Sequence, residues 1–154
     1  MIMDAKVKEL IDRAQERYLK ANELDALDRY VQSLPTRLQL YRQLRDREIP
    51  IMQAVADRVV EDLPSDETPN IEKGIRNLAL VMRYCAMGML LNDEGFLKER
   101  LLGWLEQVMS QPSMRKVNDS LYKNLNQVLR QELNADQLAL MQPLITAAQV
   151  TLIY

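Results

Sequence analysis

From Ile71 to Leu91 the chain carries apolar residues on almost every face of a helix. The stripe Ile71, Ile75, Leu78, Met82, Cys85, Met89 advances in alternating steps of four and three, and Leu80, Val81, Tyr84, Met87, Leu90 and Leu91 fill other faces. A helix with so little polar surface has no side to give to water, so it belongs in the middle of a domain with other helices packed around it. Arg83 interrupts it before it reaches the roughly 18 apolar residues that would span a bilayer.

Every other periodic stretch has the helical period as well. Val7, Leu10, Ile11, Ala14 and Tyr18 make a first stripe. Asn22 reads as the N-cap of a second helix carrying Leu24, Leu27, Tyr30, Val31 and Leu34, which Pro35 ends. Thr36 reads as the cap of a third, with Leu38, Tyr41 and Leu44, before Ile49-Pro50 marks a break or a new first helical position. Ile51, Met52, Val55, Val59 and Val60 then continue to about Leu63. The stretch 64–70, with two prolines, is the clearest loop, and Gly74 is placed at the opening of the central helix. Asn92-Asp93-Glu94-Gly95 forms the turn after it. Three more helices follow: Phe96 to Ser110 with Leu97, Leu101, Trp104, Leu105 and Val108; Ser113 to Leu133; and, after the cap Asn134, a last one toward Ile153 that Pro143 is expected to kink. Seven or eight helices around one apolar helix in 154 residues predict a single all-α domain with globin-like packing.

Composition removes several function classes. The chain has no histidine, which takes away the commonest metal ligand and general base and the usual proximal haem ligand. With 4 glycines there is no phosphate-cradling loop, and a net charge of -2 gives no basic footprint for nucleic acid. A single cysteine, Cys85, forbids an intrachain disulfide and suits a reducing cytosol; its apolar stripe argues for core packing rather than a reactive thiol. The N-terminal residues lead directly into a charged amphipathic helix, so neither a secretory leader nor membrane insertion is expected, and the protein is predicted to be cytoplasmic. Neighbouring acid–base pairs such as Glu99/Arg100 are adjacent rather than one helical turn apart, and no enzyme activity is predicted.

Three segments, in order and with suitable spacing, carry a resemblance. They are Glu16-Arg17-Tyr18-Leu19-Lys20-Ala21-Asn22-Glu23-Leu24-Asp25, then Arg37-Leu38 with the helix after it, then Gly74-Ile75-Arg76-Asn77 through Arg83 and Gly88 to Asp93. Together they resemble the phycobiliproteins, the allophycocyanin and phycocyanin subunits of cyanobacterial antennae. The resemblance implies a phycocyanin-like globin fold, with residues 1–34 as an N-terminal helical pair used for dimerisation and residues 35–154 as the globin core. It places Arg13, Arg17, Tyr18 and Arg83 at the interface, with a second copy or another phycobiliprotein-like subunit as partner. Arg13 stands where the family usually has an aspartate that bonds the partner, so Asp12 or Glu16 would have to take over that pairing.

The pigment site departs further from the pattern. In the family a cysteine holds a linear tetrapyrrole (bilin) by a thioether, an arginine binds a propionate, and an aspartate holds the pyrrole nitrogens. The matching positions are Gly74, Arg76 and Asn77, and Leu80 and Val81 replace a pair of aromatics. Asparagine accepts a hydrogen bond but brings no charge for a protonated bilin. The loop before Gly74 is also shorter than the family's, by roughly eight to ten residues. Three readings of Gly74 remain open: a neutral loss, a close helix approach, or a bilin bound without a covalent link. Arg76 is either solvated or an anion contact, and Asn77 either a local backbone partner or a ligand group. The resemblance thus implies a non-enzymatic binding or interaction protein without covalent bilin, in or beside the phycobilisome on the cytoplasmic face of the thylakoid. Its alternative is a reversible bilin carrier working with bilin-synthesis enzymes in biosynthesis, transfer or salvage.

Overall fold

The computed structural model describes residues 5–103 and 111–153 of the chain. Among them are six α-helices: α1 (Ala5–Ala14), α2 (Ala21–Asp62), α3 (Thr68–Leu91), α4 (Glu94–Leu102), α5 (Arg115–Glu132) and α6 (Ala135–Ile153). Short 3₁₀ turns at Ser65–Glu67 and Pro112–Met114 lead into α3 and α5. The apolar helix α3 packs against α2, α4, α5 and α6, the central place its composition demands. Its interior stripe, including Leu78, Val81, Met82, Cys85 and Met89, is buried among Leu40, Val55, Leu121, Leu125 and Met141.

The largest difference from expectation is α2. Pro35 does not end a helix, Thr36 caps nothing, and Ile49-Pro50 is no break, because one helix of 42 residues runs through both prolines. At 1.5 Å per residue it is about 63 Å long. A proline inside a helix removes one amide donor and crowds the carbonyl four residues back. Pro35 and Pro50 are both exposed, as are Val31 and Asp46, so the deprived carbonyls lie on the side facing water. The opposite side keeps the helix intact by burying Leu40, Leu44, Ile51, Met52, Val55 and Val59. Tertiary packing has overridden a local breaker.

The start of α2 also moves. Its N-cap is Lys20 rather than Asn22, and Glu23 at N3 accepts the Lys20 amide hydrogen at 2.8 Å. The central helix likewise opens at Thr68, six residues before Gly74, with proline in its first turn. Gly74 is therefore an interior helical residue. The expected cap at Asn134 is present: its side-chain oxygen accepts the Gln137 amide at 2.8 Å, and Gln137 Oε1 accepts the Asn134 amide at 3.1 Å. The helix proposed for Phe96 to Ser110 begins at Glu94 and is described to Leu102; Trp104, Leu105 and Val108 lie outside the described residues.

Candidate functional site

The N-terminal pair is held together by one carboxylate. Glu23, almost wholly buried, accepts from Arg17 at 2.8 and 3.3 Å, from Arg13 at 3.1 Å and from the Lys20 amide. These donors, Arg17 first and the backbone amide next, pull its pKa down to about 2. Arg13 and Arg17 are thus engaged within the chain, although both guanidinium groups stay partly exposed. Asp12 and Glu16 are exposed. Tyr18, in the turn between α1 and α2, is 98% exposed.

A second clamp joins α2 to the end of α3. The buried Arg37 donates to the Met89 carbonyl and to Ser33 Oγ, and it lies 5.8 Å from the Tyr30 ring. Tyr30 in turn donates to the Leu90 carbonyl at 3.2 Å. A cation and a hydroxyl at a helix C-terminus satisfy carbonyls that have no helical donor and meet the negative end of the helix dipole. Asn92 ends α3 in the left-handed region, at φ 51°, and the side chain of Asp93 caps α4 by accepting the Phe96 amide. Arg83 is engaged too: it makes a two-pronged pair with Glu48 of α2 at 2.7 and 3.0 Å. Beside it lies a groove of about 170 Å³ lined by Tyr41, Leu44, Glu48, Met52, Met82 and Arg83.

Gly74, Arg76 and Asn77, the positions expected to be the pigment site, differ in exposure. Gly74 is buried where α3 crosses α5. A Cβ built there would lie 2.6 Å from Leu121 Cδ1, 3.2 Å from Val117 Cγ1 and 3.6 Å from Met114 Cε. Of the three readings of this glycine, the geometry is that of a close helix approach. Arg76 is exposed and stands about 200° round the helix from Gly74. Asn77 is half-buried, with its Nδ2 out of solvent and without a hydrogen-bond partner among the described residues. The side chains of Leu121, Val117 and Met114 occupy the face of α3 over Gly74. Cys85, eleven residues further along the same stripe, is 0% exposed, and burial pushes its thiol up to about 12. Burial, with the neighbouring Cys85, also raises the pKa of Tyr122, whose buried hydroxyl has no partner among the described residues.

The sequence model of the phycobilisome protein family matches residues 10–149. The chain belongs to the phycobilisome protein family. Its all-helical bundle is accordingly a globin-like one. Phycobilisome-family proteins are structural rather than catalytic, and among the described residues no group of three or more His, Cys, Asp or Glu is placed to hold a metal. No curated protein matches the chain. No helix among the described residues is long and apolar enough to cross a membrane.

Sequence reasoning missed the hubs of this phycobilisome-family chain while naming their surroundings. Glu23 was visible as an acid in the first turn of a helix with Arg13 and Arg17 just upstream. Its burial was not, since charged residues seldom go inside unless paired. Glu48 as the in-chain partner of Arg83 had no local signal at all: the two are far apart in sequence and meet only because α2 runs unbroken beside α3.

Proposed function

We propose that this chain is a phycobilisome subunit or accessory of structural or regulatory role that carries no covalently held bilin. The observation that supports this best is the state of its one thiol. A thioether to a tetrapyrrole is formed by an accessible thiolate. Cys85 is sealed in the core with its pKa raised to about 12, and position 74 offers only hydrogen, under α5. The chain would then contribute shape and contacts to the antenna rather than absorb light. It would associate through residues 1–34, with Tyr18 as the exposed contact and Arg13 and Arg17 near it, and with Arg83, beside the groove between α2 and α3, on the surface that receives the partner. Its place would be the cytoplasmic side of the thylakoid, where phycobilisomes sit.

The test is to isolate the protein from its own cells under native conditions. Colourless protein with the mass of the bare polypeptide, co-purifying with antenna subunits, is the expected result. A covalent tetrapyrrole on any residue would overturn the reading. In the folded protein Cys85 should also resist a thiol reagent that titrates one thiol after denaturation.

A second reading, reversible bilin binding for synthesis, transfer or salvage, has one observation in its favour. Asn77 keeps a buried amide without a partner among the described residues, next to the exposed cation of Arg76. The closed face over Gly74 weighs against it. Titrating the protein into a bilin separates the two: a saturable red shift lost in Arg76→Ala supports carriage, whereas the spectrum of free bilin rejects it.

A further inference from the structure

Along the outer side of α2, Leu24, Asp28, Val31, Pro35, Leu38, Arg42, Arg45 and Ile49 follow one another in alternating steps of four and three, and all are exposed. That spacing is the seam of a two-stranded coiled coil. Its apolar members leave much of their surface in water: 51% for Leu24 and for Val31, 39% for Leu38 and 80% for Ile49. Single exposed apolar residues are ordinary, but a row of them at heptad spacing on one helix face is a contact surface without its partner.

The order of residues in the seam identifies what covers it. Turned end for end about the point midway between Pro35 and Leu38, the seam matches itself. Leu24 falls opposite Ile49, Asp28 opposite Arg45, Val31 opposite the aliphatic stem of Arg42, and Pro35 opposite Leu38. Apolar meets apolar, and each carboxylate meets a guanidinium, twice over by symmetry. A surface that complements its own reversed copy is what a twofold interface requires. We infer that α2 docks antiparallel on α2 of a second copy of this chain, in the register that pairs Asp28 with Arg45. This rests on the reading above that the chain associates through its N-terminal helices, and it names the partner and the register.

Size indicates what else must take part. The seam is about 38 Å long and about 10 Å wide, roughly 400 Å² on each copy. A stable interface covers about 800 Å² per partner. The same register carries Tyr18 of one copy toward the Met52 end of the groove between α2 and α3 of the other, where Tyr41, Met52 and Met82 offer an apolar floor. The exposed Tyr18 side chain and the apolar groove then supply the missing area together. Present neighbours do not oppose the exchange: Asp28 accepts only from the Gln32 amide at 3.0 Å and Arg45 pairs with the adjacent Asp46, both at the surface.

The experiment is a charge swap read by sedimentation equilibrium. Wild-type protein should be a dimer, and Asp28→Arg and Arg45→Asp should each weaken dimerisation at least about tenfold, since each sets like charges opposite one another at two symmetric places. An equimolar mixture of the two variants should recover wild-type affinity as a mixed dimer, because every pair across it is again of opposite sign. Recovery on mixing is something a misfolded variant cannot produce. A dimer indifferent to both reversals, or no recovery on mixing, overturns the register. If Tyr18→Ala still dissociates that dimer, association through the N-terminal helices stands and only the α2 seam falls. A wild-type chain that remains monomeric at all concentrations overturns self-docking, while co-purification of a different antenna subunit would leave the proposed role intact.

Discussion

Two faces of this molecule treat apolar surface in opposite ways. Where α3 crosses α5, Gly74 lets the helices approach until Leu121 and Val117 cover it completely. Along the outside of α2, Leu24, Val31, Leu38 and Ile49 stay in water over most of the length of a helix. The first face is filled by side chains of its own chain, and it is shut. The second lies where a partner would sit, and it is open. The contrast is between a face filled from within the chain and a face left to water.

The closed face gives the largest expected effects. Leu121→Ala removes the side chain that seals Gly74 and should cost about 2–5 kcal/mol in urea unfolding, as expected for a leucine that leaves a cavity in a packed core. A cost below about 1 kcal/mol would mean that this crossing is loose, and the contrast would weaken. Gly74→Cys is the sharper probe, because it puts a side chain directly into the contact with Leu121 and Val117. Helix propensity favours the change by less than about 1 kcal/mol, but overpacking costs about 1–3 kcal/mol. Val117 is branched at Cβ and Leu121 is fully buried, so neither yields easily. A net loss of about 1–2 kcal/mol is expected; a neutral or stabilised variant would indicate that room for a ligand survives there.

The junction of α1 with α2 should respond to acid. Glu23 in the folded chain ionises at about 2 instead of the ordinary 4.5, because Arg17, the Lys20 amide and Arg13 favour its charged form. Its stabilising contribution is therefore complete above pH 4.5 and is lost as the pH falls toward 2. Hydrogen exchange should show α1 losing protection across that window before the core does, and Glu23→Gln should abolish the pH dependence. Equal loss of protection in α1 and α3 would mean that the N-terminal pair is not a separate element. The smallest effect on stability belongs to the open face: Tyr18→Ala should change unfolding by less than about 0.5 kcal/mol. Association should nevertheless weaken, and a variant that unfolds easily would show that Tyr18 supports its own chain.

Much of the architecture was legible in the residues. The all-round apolarity of Ile71 to Leu91 identified the helix that α2, α4, α5 and α6 surround. The Asn134 cap was readable because its donors and acceptors lie within four residues of one another. Pro35 and Pro50 misled because a proline states a local cost and says nothing of the burial on the far side of the same helix. Reading them as breaks divided α2 into three pieces and split its seam at Pro35, leaving each part too short to show the repeat. At position 74 the residue alone excludes a thioether, since glycine has no sulfur.

Helical period, central apolarity, and the absence of histidine and of a cysteine at position 74 are properties of the residues themselves, so no coordinates were needed to read them. Three matters depended on the folded chain: whether the space beside Gly74 was empty or filled, whether Arg83 had a partner within its own chain, and whether α2 survived its prolines. Each is settled by side chains far apart in sequence (Leu121 against Gly74, Glu48 against Arg83, α3 and α5 against α2). Periodicity reports which face of a helix is apolar; only packing decides what that face meets.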